Sequence, residues 1–325
     1  MRKLYGKLII FFAIVTISIS LFFYLLYFLL PPVFNNSYQK GYNYQYHALE
    51  KAQNDKKIIV LGGSYMTFAT DSKLLSKLTN RPSYTLGIHS GMGMCYIIES
   101  AKKFISQGDI VVYSFRPFEK NDYGMDLTYL CFEDEKDMFL DFLLSHPCVI
   151  AKTISPAIFT KLYNWFYVVL RKSLNKTGIE NSVYVASAFD KTSGNLIYPR
   201  PIIEPGIPEY ELKPRFEYKI EDIDDSCIKI LNDLDSFCKE KGASLYITWS
   251  PAYEGSVLSS NEEKSNYEKY LELNCNAPII STLNKNEFSE NCLYNGALHM
   301  NDKGMELYTK QMYEDLKSFQ NNELQ

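Results

Sequence analysis

The pattern of apolar and polar positions changes character several times along this chain. Residues 8–30 are uncharged and almost wholly apolar. A run of that length meets the roughly 20 residues needed to span a bilayer, which predicts one transmembrane helix. From 31 to 55 the chain turns polar, rich in Asn, Tyr and Gln, and reads as a stalk. Short apolar runs then alternate with amphipathic segments. Strands are predicted at 58–61, 83–88 and 109–115. Helices are predicted at 71–78, capped by Asp71 or Ser72, and at 92–105, stopped by Gly108. Strands alternating with helices of this length imply an α/β fold with a parallel sheet.

The alternation then lapses. Residues 138–174 are apolar and helical in pattern, broken at Pro147 and Pro156, and include Phe159, Trp165 and Phe166. They predict a helical insertion packed on the core, with a membrane- or partner-facing surface as the alternative. Residues 178–214 carry many prolines and no period, so they predict a loop, and one this long is a candidate lid. The alternation resumes with a helix at 222–241 ended by Gly242, a strand at 244–249 and a helix at 262–273. A short strand at 278–281 and a final helix at 301–319 complete it. The implied organisation is an N-terminal segment at 1–7, a membrane helix at 8–30, a stalk at 31–55, and an α/β domain at 56–320 with an insertion at about 117–220.

Composition and the placement of charge add four constraints. At 325 residues and 46% hydrophobic, the chain suits one sizeable globular domain plus extras. Its formal charge of −4 gives no basis for binding nucleic acid. Arg2, Lys3 and Lys7 precede the apolar run and no comparable basic cluster follows it. The positive-inside rule therefore predicts a single-pass cell-membrane protein with a cytoplasmic N-terminus and an extracytoplasmic main domain. The rival is a cleaved signal peptide, whose apolar core would be roughly 7–15 residues. The run here is longer and ends in Phe28-Leu29-Leu30-Pro31-Pro32. The seven cysteines include no CxxC pair, which argues against a zinc ribbon or a thioredoxin-type site. Cys275 with Cys292 is the candidate disulfide.

Two distant segments carry candidate chemistry. The first strand runs into Gly62-Gly63-Ser64, and Leu298-His299-Met300-Asn301-Asp302-Lys303-Gly304 precedes the last helix. A Gly-Gly turn at a strand end can lift Ser64 above the sheet, at a helix start where free N–H groups stabilise an oxyanion; such turns also occur as plain connections. A serine is a poor nucleophile until a base takes its proton. His299 lies in the loop before a helix, from which it can reach the carboxyl ends of the strands, where α/β sheets place their sites. His89, after the second strand, is the rival base, whereas His47 falls in the stalk and His146 in the insertion. Tyr65, next to Ser64, either stacks on a substrate sugar or packs. Arg116, after the third strand, either binds an anionic substrate or stabilises an oxyanion, or else forms a surface salt bridge.

With these residues in place, the chain resembles the SGNH (GDSL-like) hydrolase superfamily over roughly 56–115 and 243–319. Gly62-Gly63-Ser64 matches its nucleophile block, Gly87 its oxyanion-hole glycine, and His299 its catalytic histidine. The phrase His299-Met-Asn-Asp-Lys-Gly304 is similar to one in membrane-anchored members, among them D-alanine-transfer proteins of teichoic-acid modification and acetyltransferase-like proteins of exopolysaccharide operons. The resemblance implies a three-layer α/β/α fold with a flavodoxin-like parallel sheet and a serine esterase or acyltransferase. Its substrates would be O-acyl groups, chiefly O-acetyl, of a cell-surface polysaccharide, or an acyl carrier, and a membrane-bound acyl-donor protein is a candidate partner. It implies Ser64 as nucleophile, His299 as base, the N–H groups of Ser64 and Gly87 as oxyanion hole, and neither metal nor organic cofactor.

Two positions depart from the family pattern. The family's aspartate stands three or four residues before the histidine, where this chain has Gly296 and Asn295. The family's third-block asparagine has no counterpart in Ser114-Phe-Arg116-Pro-Phe-Glu119. Asn295 can orient His299 but brings no charge, and in serine proteases the equivalent change costs about 10⁴ in rate. Three outcomes are open: a Ser64–His299 dyad oriented by Asn295, a carboxylate from elsewhere (Glu287, Glu290 and Asp302 are nearest in sequence), or an inactive site. The last would make the chain a non-catalytic binding or assembly component of a surface-polysaccharide system. A secreted lipase or esterase is a third reading, favoured only by the apolar stretch around Trp165.

Overall fold

In the computed structural model, the described residues are 2–29, 36–116 and 182–323, with the single positions 119, 135, 162, 163, 166, 167 and 170. They fall into two compact units, and α1 belongs to one and the α/β core to the other. Helix α1, Arg2–Leu29, is long and apolar enough over Leu4–Phe22 to cross a membrane. Those 19 residues make about 28 Å of helix, close to the roughly 30 Å of a hydrocarbon core. The predicted apolar insertion at 138–174 lies outside the described residues, apart from five positions.

The core unit starts at Asn36, earlier than the sequence suggests. The predicted stalk is in large part helix α2, Lys40–Lys51, which buries Tyr42, Gln45, Ala48 and Leu49. Its Tyr42 and Tyr46 rings meet Tyr96 and Phe104.

Next come strand β1 (Ile58–Leu61), helices α3 (Ser64–Ala69) and α4 (Ser72–Thr79), strand β2 (Ser83–Leu86), helix α5 (Met94–Lys102) and strand β3 (Ile110–Phe115). Asp71 caps α4 by accepting the N–H groups of Lys73 and Leu74. Helix α6 (Asp225–Lys241) ends on Gly242, left-handed at φ 72°. Strand β4 (Ser244–Trp249) and a two-residue strand β5 (Ala252–Tyr253) follow. Helix α7 (Asn261–Asn274) opens with a capping box between Ser260 and Glu263, a device worth about 0.5–2 kcal/mol. Strand β6 (Glu287–Phe288) pairs with β5, and the expected strand at 278–281 is a single bridge, Ile279 to Ile247. A small hairpin, β7 (Leu293–Gly296) and β8 (His299–Met300), leads into the final helix α8 (Asp302–Glu323).

The main sheet is parallel throughout, in the order β2-β1-β3-β4. All four residues of β1 are buried, as expected of a central parallel strand covered on both faces. Ile58, Val60 and Val112 pack with Leu75 of α4 and with Tyr308, Met312 and Leu316 of α8. Helix α5 packs against β1, α6 packs against β4, and the two helices touch each other. Each fully buried aliphatic side chain contributes about 1.5–3 kcal/mol. The chain leaves β1 for β2 on one side and reaches β3 on the other. The order therefore reverses at β1, and such a switch point opens a crevice at the carboxyl ends of the strands. Ser64 follows β1 at that point.

Candidate active site

Gly62 and Gly63 let the chain turn sharply after β1. Gly87, at φ 131°, approaches so closely that a Cβ there would lie 1.6 Å from the Gly62 carbonyl oxygen, so only glycine fits. Ser64 is then the first residue of α3, half-buried and accessible. Its N–H has no residue four positions back within the helix to accept it, and it makes no hydrogen bond among the described residues.

His299 comes from the opposite end of the chain on β8. Its Nε2 lies 2.9 Å from Ser64 Oγ. Its Nδ1 lies 2.9 Å from Asn295 Oδ1 on β7. The hairpin places these two side chains, four residues apart, in line behind the serine. His89, the rival base, instead accepts the Gly91 N–H at Nδ1 in its own tight turn. His47 is paired with Glu50.

The network settles which way the Asn295 amide points. Asn295 Nδ2 donates to Glu204 Oε2 at 2.7 Å and to the Tyr184 hydroxyl at 2.8 Å. An ionised carboxylate can only accept, so the nitrogen faces Glu204 and the oxygen faces His299. The imidazole proton then sits on Nδ1, and Nε2 is free to accept the Ser64 hydroxyl proton. Burial first, and then His89 and Arg200 nearby, hold the His299 pKa down at about 4. The imidazole is therefore neutral near pH 7.

The surroundings fix the ring. Phe68 of α3 stacks on His299 with centroids 4.3 Å apart and planes 12° apart. The fully buried Arg200 bonds the backbone oxygens of both Phe68 and Met300 at 3.0 Å. Its guanidinium carbon lies 5.1 Å from the Phe68 ring centroid. Burial lowers the Arg200 pKa to about 10, so it stays charged. Arg200, Tyr184 and Glu204 all come from the stretch expected to be a lid. That stretch is tied to the hairpin, where the Glu204 N–H bonds the Tyr294 carbonyl at 2.8 Å.

The structure corrects some sequence expectations and decides between alternatives for others. The Gly87 N–H, expected as an oxyanion donor, is taken by Gln45, to whose Oε1 it donates at 3.0 Å. Tyr65 is only 2% exposed and its hydroxyl donates to the Ser114 carbonyl at 2.8 Å, so it packs instead of stacking on a ligand. Arg116 is ion-paired with the buried Glu119 at 3.3 Å, which gives it the salt-bridge role. Burial raises the Glu119 pKa, and Arg116 counters that shift. Glu287 pairs with Lys264, Glu290 with Lys213, and Asp302 accepts the Arg200 N–H, so each is engaged away from His299. Cys275 and Cys292 are free thiols. Among the described residues no three His, Cys, Asp or Glu side chains gather as a metal site.

Sequence reasoning missed Glu204, Tyr184, Arg200, Phe68 and Gln45. Only Phe68 carries a local signal: it lies four residues after Ser64, on the same face of α3. Compared with known proteins, the chain matches no family model and no curated sequence.

Proposed function

We propose that this chain is a membrane-anchored serine esterase or O-acyltransferase of SGNH type, acting on O-acyl groups, chiefly O-acetyl, of a cell-surface polysaccharide. The observation that carries this reading is the 2.9 Å contact between Ser64 Oγ and His299 Nε2. A serine made nucleophilic by a neutral, oriented imidazole is the working part of an acyl-transfer site. The parallel order β2-β1-β3-β4, with Ser64 at the switch point, supports the flavodoxin-like sheet of that superfamily. The glycan substrate and the extracytoplasmic side rest on the sequence resemblance and on the basic residues before α1.

In this mechanism Ser64 Oγ attacks the acyl carbon while His299 Nε2 takes its proton. The Ser64 N–H faces the oxyanion of the tetrahedral intermediate. The intermediate collapses to an acyl-serine, and His299 returns the proton to the departing alcohol. Water then releases the acid, or a sugar hydroxyl takes the acyl group.

A second reading, a non-catalytic binding or assembly component, is favoured by one observation. The Gly87 N–H, needed for a two-donor oxyanion hole, is bonded to Gln45. Release of acetate from an O-acetylated polysaccharide by the full-length protein separates the two. The enzyme reading predicts release that Ser64→Ala abolishes. Equal release from wild type and Ser64→Ala would reject Ser64 as the nucleophile, and tight polysaccharide binding with no release would favour the binding component.

A further inference from the structure

We infer that Glu204 is a positioning residue that sets the tautomer of His299 through Asn295, standing in for the absent aspartate. The catalytic use of this role, though not the tautomer choice itself, rests on the acyl-transfer reading of Ser64 and His299.

An amide can turn either edge toward an imidazole. If Asn295 presented its nitrogen, Nδ1 of His299 would have to accept, the ring proton would move to Nε2, and Ser64 would have no base. In serine proteases whose acid is replaced by an amide, the wrong tautomer costs about 10⁴ in rate. The same residue type stands here, but with a second contact behind it. Glu204 Oε2 lies 2.7 Å from Asn295 Nδ2. A carboxylate only accepts, so it rejects the flipped amide, which would bring oxygen against oxygen. Tyr184, at 2.8 Å from the same nitrogen, cannot make that choice, because a hydroxyl both donates and accepts. The Glu204 backbone is itself tied to the hairpin, since its N–H bonds the carbonyl of Tyr294, the neighbour of Asn295. The carboxylate therefore follows the hairpin that carries Asn295.

The test uses full-length protein in detergent, with ¹⁵N-labelled histidine. It reads the ring-nitrogen shifts of His299 at pH 7 and the rate at which a fluorophosphonate labels Ser64. In wild type, Nδ1 is protonated and Nε2 is not. Glu204→Gln keeps size but offers both a donor and an acceptor. The Nε2–H tautomer should appear and labelling should slow at least tenfold, toward the roughly 10⁴-fold cost above. Glu204→Asp, still acceptor-only, should keep the wild-type tautomer. A Glu204→Gln protein with wild-type shifts and rate would overturn the proposal, and so would slowed labelling with an unchanged tautomer. If wild-type Ser64 is never labelled yet Glu204→Gln still shifts the tautomer, the positioning role stands and the acyl-transfer reading falls.

Discussion

Phe68 lies flat against His299, with ring centroids 4.3 Å apart and planes inclined by 12°. Ser64 and Phe68 sit one helical turn apart on α3, so one short helix holds the imidazole by its edge and by its face. Such aromatic pairs contribute about 0.5–1.5 kcal/mol beyond their buried area. Phe68 is fully buried, and Phe68→Ala should cost about 3–5 kcal/mol in all. Urea unfolding measures that loss. A cost below about 1 kcal/mol would mean the stack is incidental.

The pH dependence follows from His299. Its pKa in the folded protein, about 4, is below the roughly 6.5 of a free histidine. Between those values the unfolded chain binds the extra proton, so stability falls as pH drops from about 6.5 through 4. His89 is also lowered, by burial and by Arg116, and contributes in the same direction. Thermal unfolding of His299→Gln should therefore show a shallower, though not flat, decline over that window. An unchanged decline would contradict the assigned shift.

Placing an aspartate at position 295 should not by itself improve the site. Asn295→Asp would set a carboxylate against Glu204, where nitrogen and oxygen now lie 2.7 Å apart. Two such groups cannot both ionise cheaply, so one takes a proton at a raised pKa. That variant should lose stability as pH rises, because its folded state binds the extra proton. Adding Glu204→Gln should remove the slope, and pH-dependent melting of the two variants checks both.

Gln45 offers a test of Gly87. Gln45→Ala leaves the buried Gly87 N–H without its 3.0 Å acceptor, at a cost of about 1–3 kcal/mol. The expected result is lower melting temperature with an unchanged rate of Ser64 labelling. Faster labelling would return Gly87 to the oxyanion hole.

These relationships were unequally legible in the sequence. Ser64 and His299 announce themselves, one at the end of an apolar strand and the other just before the last helix. Asn295 follows from its four-residue offset. The parallel sheet follows from the β-α alternation, and β4 matches its expected span, 244–249. Glu204 was hidden because it comes from an aperiodic loop 91 residues before Asn295, and nothing local marks such a contact. Helix α2 was hidden by its composition. It buries Asn43 and Gln45 beside Tyr42 and Leu49, so its polar content resembles a stalk. The spacing of Tyr42, Tyr46 and Leu49, at i, i+4 and i+7, was the available signal. The hairpin β7–β8 is too short, at four and two residues, to leave a period.

In the proposed mechanism His299 activates Ser64. The most direct test of that step is to treat full-length protein with a fluorophosphonate and map the adduct by mass spectrometry in wild type and in His299→Ala. The expected result is labelling at Ser64 in wild type and its loss in the variant. An unlabelled Ser64 in folded wild-type protein, or equal labelling without His299, would contradict it.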